Sequence, residues 1–266
     1  MLTARDVWFA YDEASPVLRG VSLDVEDRAL VGILGPNGSG KTTLLRLLAG
    51  TRRPHRGTVT LDGEPLASRS RALLARRIAV VPQETQLAFD YSVAEVAMMG
   101  RYPHLGAFEV EGPEDAAIVH QSLAATGTDH LATRPFASLS GGEKQRVVIA
   151  SALAQISGEG NASRVLLLDE PTASLDLAYQ LEVVAVLQRL HAEQGISIVI
   201  STHDLNLASS LCRTLLLMRD GGVRGAGPAD RLLTPDRIRD LYGVEVEIVE
   251  APSGRRAILP VQRAAS

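Results

Sequence analysis

The stretch GPNGSGKT at residues 35–42 decides the fold, because it fits the pattern G-x-x-x-x-G-K-[ST]. It follows the apolar run ALVGIL at 29–34 and leads into TTLLRLLA at 42–49. The apolar run predicts a buried strand, and the second stretch predicts a helix that ends at Gly50. A strand, a glycine-rich loop and a helix in this order predict a phosphate-binding loop.

The chemistry of phosphate binding explains the residue types in this loop. Its backbone N–H groups must point at phosphate oxygens, which requires glycines that can adopt positive φ. The helix that begins near Lys41 adds the positive end of its dipole. We expect Lys41 to reach the β- and γ-phosphates and the Thr42 hydroxyl to bind Mg²⁺. A Rossmann-type site is not favoured, because no G-x-G-x-x-G pattern occurs at this turn.

Two carboxylates follow the apolar run VLLL at residues 165–168. A strand that is apolar at every position belongs to a parallel sheet covered on both faces, and ligands bind at the carboxyl edge of such sheets. Asp169 is the candidate ligand of Mg²⁺. Glu170 is the candidate that orients or deprotonates an attacking water.

A second glycine-containing turn, LSGGE at residues 139–143, opens another predicted helix. Ser140 and Glu143 fit a capping box, which is a structural role. Two glycines at this place also expose backbone N–H groups at a helix N-terminus, which would suit a second anion. One chain needs a single site for the terminal phosphate, so this turn suggests a phosphate presented by another copy.

Composition restricts the class of protein. The chain has 266 residues, 45% of them hydrophobic, and a net charge of −4, which does not favour a nucleic-acid binder. No signal peptide or membrane-spanning run is recognisable, so we expect a soluble chain that reaches a membrane only through a partner. The basic cluster at residues 52–56 is expected to be a solvated turn, and Cys212 a buried, unreactive thiol.

The fold class indicated is α/β, with a parallel or mixed P-loop sheet core and an inserted helical subdomain. Further buried strands are predicted at 78–81, 196–200 and 215–218, and helices at 92–99, 116–125, 142–154 and 177–191. The division expected is an α/β core at 1–82 and 155–243, a helical subdomain at 83–154, and a C-terminal extension at 244–266. Two strands are expected in the extension, around Pro252-Ser253-Gly254.

Taken together, these motifs resemble the ABC ATPase family over residues 2 to about 243. GPNGSGKT, LSGGE and VLLLDE are similar, in order and spacing, to its Walker A, signature and Walker B motifs. SLD at 174–176 resembles the D-loop, Gln83 the Q-loop glutamine and His203 the switch histidine. The resemblance implies a head-to-tail dimer that encloses ATP between the Walker A of one chain and the LSGGE of the other.

The resemblance implies a role for each matching residue. Glu170, His203 and Gln83 would be catalytic, and Thr42, Gln83 and Asp169 would bind Mg²⁺. ATP would be bound by Tyr11, which would stack on adenine, and by Gly35, Pro36, Asn37, Gly38, Ser39, Gly40, Lys41, Thr42 and Thr43. The second copy would contribute Ser140, Gly141, Gly142, Glu143 and Asp176.

Three stretches resemble the importer group for iron-siderophores, haem and cobalamin: residues 88–106, STHDLNLA at 201–208 and LTPDRIRDLYGVEVE at 233–247. That group implies two identical ATPases on the cytoplasmic face of the membrane, a transmembrane permease and, indirectly, an extracytoplasmic binding protein. The alternatives are a non-transport ABC ATPase or an exporter subunit. A GTPase is not favoured, because no Asn is followed by Lys.

Overall fold

The computed structural model describes residues 1–12, 15–158, 163–250, 252 and 256–264. The chain folds as two compact units. The first unit comprises Met1–Leu66 with Val199–Ser266, and the second comprises Ala67–Ile198. The helical subdomain predicted at 83–154 falls within the second unit.

The strands, in chain order, are β1 (Leu2–Ala10), β2 (Pro16–Val25), β3 (Leu30–Leu34), β4 (Arg56–Leu61), β5 (Glu64–Pro65), β6 (Ile78–Val81), β7 (Val165–Asp169), β8 (Ser197–Thr202), β9 (Thr214–Arg219), β10 (Gly222–Pro228), β11 (Val244–Glu250) and β12 (Arg256–Arg263). The helices are α1 (Lys41–Leu48), α2 (Arg71–Ala75), α3 (Val93–Met98), α4 (Pro113–Thr126), α5 (Gly141–Ile156), α6 (Leu177–Gln194), α7 (Leu205–Leu211), α8 (Ala229–Leu232) and α9 (Pro235–Tyr242).

The strand that leads into the phosphate loop, β3, is buried at all five positions. It runs parallel to β9, with Val31 opposite Thr214 and Leu34 opposite Leu217. β9 turns back into the antiparallel β10 through Asp220 and Gly221, both at positive φ. The strand order in the first unit is β10-β9-β3-β8, so the sheet is mixed and β3 is an inner strand. The predicted buried strands at 29–34 and 215–218 are confirmed.

A second sheet of the first unit is antiparallel, in the order β2-β1-β4-β5, and the sequence analysis does not predict it. The pairing of β1 with β2 shifts between Ala4 and Val7 and again between Val7 and Phe9. Such irregularities interrupt the period of two by which a half-buried strand is recognised. The basic cluster is solvated as expected, although Arg56 begins β4 and forms an exposed ion pair with Asp6.

In the second unit, the short buried strands β6 and β7 pair in parallel, with Ile78 opposite Val165 and Val81 opposite Leu168. The predicted helices of the insertion are confirmed as α3, α4 and α5. They surround an apolar core of Val93, Val96, Ala97, Val119, Leu123, Leu131, Phe136, Leu139, Val147, Ala150 and Ala154. This helical part therefore has a core of its own.

Arg101 fixes the 3-10 segment Met99–His104 to this helical part. Its side chain is buried and forms an ion pair with Asp115 at 2.8 Å. The same guanidinium donates to the carbonyl oxygens of Ala154 at 2.7 Å and Ser157 at 2.8 Å. The Gly112 N–H and the Arg101 guanidinium hold the pKa of Asp115 below its usual value.

The C-terminal extension contains the two expected strands. β11 and β12 form an antiparallel hairpin, with Ile248 opposite Ile258. Of the turn expected at Pro252-Ser253-Gly254, only Pro252 is among the described residues. No helix in the described ranges is both long and apolar enough to cross a membrane.

Replacing Arg101 should destabilise the chain strongly, because Arg101→Met removes the cation paired with Asp115 and the donor to two carbonyl oxygens. We expect a loss of about 3 kcal/mol in the free energy of unfolding, measured by urea denaturation. The matched control is Arg76→Met, because Arg76 donates a single exposed hydrogen bond to Pro103 of the same segment. That variant should lose under about 1 kcal/mol, and equal losses would contradict this account of Arg101.

Candidate functional site

The phosphate loop joins β3 to α1, and its lysine side chain bonds back to the start of the loop. Lys41 is 5% exposed, and its ammonium donates to the carbonyl oxygens of Gly35 at 2.8 Å and Pro36 at 3.2 Å. The Ser39 N–H also donates to Pro36 O, at 3.2 Å. The cation is therefore held inside the curve of the loop, where it can meet an anion.

The start of α1 is open to an anion. Its N-cap, Gly40, has φ 98° and ψ 7° and provides no side-chain cap for the first N–H groups of the helix. The positive φ expected for the loop is present at Gly38 as well, at 81°. Ser39 Oγ is buried and has no hydrogen-bond partner in the described chain. An uncapped helix start, a buried hydroxyl without a partner and an enclosed ammonium together fit a phosphate group.

Tyr11 is half exposed and is linked to the first turns of α1. Its hydroxyl lies 3.3 Å from Thr43 Oγ1 and accepts from Arg46 at 2.8 Å. The ring packs edge-on against Phe9 with centroids 5.0 Å apart. Burial acts to raise the pKa of Tyr11, but the bonds to Thr43 and Arg46 leave it below its usual value. Arg46 was missed in the sequence, although it lies one helical turn after Thr43.

His203 lies in the short connection between β8 and α7, exposed at the surface of the first unit. Asp204 caps α7, since its Oδ1 accepts from Asn206 N at 2.8 Å and Leu207 N at 3.0 Å. The His203 carbonyl accepts from the Tyr242 hydroxyl at 3.4 Å. The connection that carries the histidine is therefore bonded at His203 to Tyr242 and at Asp204 to the start of α7.

Three further candidates lie at or after the carboxyl ends of strands in the second unit. Asp169 is the last residue of β7 and is 8% exposed. Glu170 comes next, half-buried, with φ 46°. A non-glycine residue in this left-handed region is uncommon and is concentrated at functional positions. Gln83 is exposed in the loop after β6.

The capping box predicted at the start of α5 is confirmed. The Ser140 N–H donates to Glu143 Oε2 at 2.8 Å, and the Glu143 N–H donates to Ser140 Oγ at 3.3 Å. The bond from the Ser140 N–H and the one with its hydroxyl lower the pKa of Glu143. Asp176 is the N-cap of α6 and is exposed, without a side-chain capping bond.

Gly142 has a packing role that the sequence does not reveal. A Cβ built on Gly142 would lie 2.5 Å from Cγ and 2.7 Å from Cβ of Tyr179, on α6. At Gly141 the nearest atom would be Leu175 Cδ2, at 3.3 Å. Gly142 therefore permits the close approach of α5 and α6, whereas Gly141 is exposed.

The structure thus gathers the candidates into separate groups. Tyr11, the phosphate loop and His203 belong to the first unit, and Gln83, Asp169, Glu170, the LSGGE turn and Asp176 to the second. In the described ranges, no cluster of three or more His, Cys, Asp or Glu side chains could hold a metal ion by itself.

Two curated proteins show how the chain compares with known sequences. It is 41% identical over 262 residues to the hemin import ATP-binding protein of Bordetella pertussis, covering 97% of this chain and 98% of that protein. It is 42% identical over 252 residues to the cobalamin import ATP-binding protein of Halobacterium salinarum, covering 95% of this chain. The chain spans only 61% of the length of this second relative.

Two solved structures are similar over most of the chain. One is an ABC transporter described as being of the metal-chelate type, in an inward-facing conformation, with a TM-score of 0.84, 29% identity and coverage of 98% of this chain and 96% of that one. The other is a dimeric bacterial ABC transporter cassette, with a TM-score of 0.73, 27% identity and coverage of 86% and 99%.

A glycine loop between a buried strand and a helix, within a mixed α/β sheet, defines a P-loop nucleotide-binding protein. A family model described as ABC transporter matches residues 18–173, more than half of the chain. The chain belongs to the ABC transporter family.

The two glycines of the LSGGE turn should differ in their effect on stability. Gly142→Ala should lower the free energy of unfolding by roughly 1–3 kcal/mol in urea denaturation, because its methyl group overlaps the stem of Tyr179. Gly141→Ala is the matched control at the neighbouring position and should be close to neutral. A larger loss for Gly141→Ala would show that packing against α6 is not what Gly142 serves.

Proposed function

We propose that this chain is the ATP-hydrolysing subunit of an ABC importer that takes up a metal chelate, an iron-siderophore, haem or cobalamin, through a separate permease. The observation that carries the proposal is the phosphate loop, with Lys41 enclosed and α1 uncapped. The chelate class is supported by the names of the relatives, which import hemin and cobalamin, and by the metal-chelate type of the solved transporter.

The first unit would bind the nucleotide. The loop from Gly35 to Thr43 would surround the phosphates of ATP, with Lys41 on the β- and γ-phosphates and the exposed Thr42 hydroxyl on Mg²⁺. Tyr11 would stack on adenine, and its link to Thr43 and Arg46 supports this because it ties the ring to the same helix. His203 would contact the γ-phosphate.

The second unit would supply the groups that act on the metal and the attacking water. Asp169 would hold Mg²⁺ together with the phosphates, and Gln83 would sense the metal from its loop. Glu170 would orient the water or accept its proton. Its left-handed backbone supports this role, because a strained position at the end of a strand persists only where the surroundings enforce it.

A second copy of the chain would complete the site with its LSGGE turn. The N–H groups of Ser140 and Glu143 are engaged in the capping box, so those of Gly141 and Gly142 would meet the γ-phosphate. Asp176 of the second copy would lie near by. The dimeric state of the similar bacterial cassette supports this arrangement.

The other partners would be transmembrane permease subunits and, indirectly, an extracytoplasmic substrate-binding protein. The chain would then lie on the cytoplasmic face of the cell membrane as a peripheral subunit. The cargo would pass through the permease alone, so the residues of this chain would carry no cargo specificity.

Hydrolysis should stop at different stages in two variants. Glu170→Gln should bind ATP with Mg²⁺ and form a stable dimer, because the site closes but the water is not activated. Ser140→Arg should bind ATP as a monomer and fail to hydrolyse it, because the added side chain blocks the second phosphate site. ATP turnover and the dimer fraction, measured by light scattering, distinguish the two outcomes, with Lys41→Ala as the variant that loses ATP binding.

Ser92→Arg is the matched control for Ser140→Arg, since Ser92 and Glu95 form an equivalent capping box on α3. Both substitutions remove a capping hydroxyl, which costs about 1 kcal/mol, but only the change at Ser140 should abolish hydrolysis. Normal turnover by Ser140→Arg would refute the two-chain site. Rapid turnover by Glu170→Gln would refute the assigned role of Glu170.

The partner can be identified with the trapped form. Tagged Glu170→Gln, held with ATP in its native cells and purified from solubilised membranes, should bring down a permease with several membrane spans. A haem or corrinoid absorbance spectrum in the same material would identify the cargo. Recovery of ribosomes or DNA-repair proteins instead would refute the transport function.

A further inference from the structure

The C-terminal hairpin, formed by β11 and β12, is joined to the start of α7 by one side chain. Asn206 Nδ2 donates to the carbonyl oxygen of Ile258 at 3.1 Å, and the Ile258 N–H donates to Asn206 Oδ1 at 2.8 Å. The amide thus pairs with both polar groups of a β12 residue, as a neighbouring strand would. The two residues lie 52 positions apart in the chain.

Asn206 lies three residues after His203, and we call residues 203–206 the switch segment. Asp204 caps α7 by accepting from Asn206 N, and the Asp204 N–H donates to Thr202 Oγ1 at 3.0 Å. A second contact comes from α9, where the Tyr242 hydroxyl donates to the carbonyl of His203 at 3.4 Å. The switch segment is therefore held both by the hairpin and by the helix that precedes it.

The hairpin makes further contacts within the first unit. Ile258 is 1% exposed, so the strand residue that Asn206 contacts is a core residue. Arg239 of α9 forms a bidentate ion pair with Glu245 of β11, from Nε to Oε1 at 2.6 Å and from Nη2 to Oε2 at 2.7 Å. Arg256 of β12 donates to the carbonyl of Asp230, on α8, at 3.1 Å. These contacts connect the hairpin to α8 and α9 as well as to the switch segment.

We propose that the C-terminal hairpin is a brace for the switch segment, and that Asn206 and Tyr242 are positioning residues that hold His203 where it acts on ATP. The inference rests on the role proposed above for His203. A histidine that contacts a γ-phosphate must be placed within a fraction of an ångström, and a short exposed connection does not hold it so by itself. The brace constrains this connection through the Tyr242 bond to the His203 carbonyl and the Asn206 bonds to Ile258, whereas ATP binding by the phosphate loop does not depend on it.

The test compares binding with turnover in the full-length chain. Asn206→Leu removes both bonds to Ile258, and Tyr242→Phe removes only one hydroxyl. Each should lower kcat for ATP about three- to tenfold, while KM and the affinity for a fluorescent ATP analogue change by less than about twofold. Ser210→Ala is the matched control, because among the described residues the Ser210 hydroxyl donates only to Leu207 O, within α7 itself. Its kcat should stay unchanged.

Two further measurements keep the inference separate from the proposed function. In a His203→Ala background, Asn206→Leu should have no additional effect on kcat, because it acts through the histidine. Amide hydrogen exchange at residues 203–207 should become faster in Asn206→Leu, whether or not the variant hydrolyses ATP.

The possible results lead to different conclusions. Full hydrolysis by His203→Ala would refute the role of the histidine, and hydrogen exchange would then decide on the brace alone. An inactive His203→Ala beside a fully active Asn206→Leu would overturn the brace and leave the proposed function intact. Equal losses in kcat and in nucleotide affinity, or unchanged exchange at residues 203–207, would also overturn it.

Discussion

The phosphate loop depends on one constraint: a protein that binds an anion through its backbone must leave polar groups without internal partners. The N-cap of α1, Gly40, has φ 98° and offers no side-chain cap, and Ser39 Oγ is buried without a hydrogen-bond partner among the described residues. Each such group costs free energy in the absence of a ligand. The strand before the loop offsets this cost, because β3 is buried at every position and lies inside its sheet. The loop can therefore keep polar groups unpaired while the strand before it remains folded.

The start of α5 is also proposed to bind an anion through backbone N–H groups, but part of it is capped by side chains. Its Ser140–Glu143 capping box satisfies two of the four unpaired backbone N–H groups at the helix start, so two are left for a ligand. Gly142 is further restricted by Tyr179, because the contact between α5 and α6 leaves no room for a side chain. One short motif thus combines helix capping, helix packing and the proposed recognition of a phosphate. The capping box was predicted from the sequence and is confirmed, and phosphate recognition remains a proposal. The packing role could not be predicted, because it depends on Tyr179 of another helix.

The parts predicted from sequence share a physical basis. Strands that are apolar at every position and helices with capping boxes carry local signals, and the structure confirms them at 29–34, 165–168 and 92–99. The antiparallel sheet was missed because the pairing of β1 is irregular. β10 was missed because it contains three glycines and is a strand only through its pairing with β9. The loop residues of the candidate site were proposed from motifs. Arg46, Asn206 and Tyr242 could not be proposed in this way, because they are linked to the site only by contacts made after folding.

The position of His203 shows why such distant contacts matter. β8 ends at Thr202 and α7 begins at Leu205, so two residues connect a buried strand to a helix. In a connection this short, the backbone position of the histidine depends on the orientation of α7. α7 has only seven residues and buries three of them, Leu207, Ala208 and Leu211. Its orientation therefore depends on what it touches, and the hairpin bonded to Asn206 is one of those contacts. The C-terminal hairpin can in this way influence the geometry of a segment for which we propose a catalytic role.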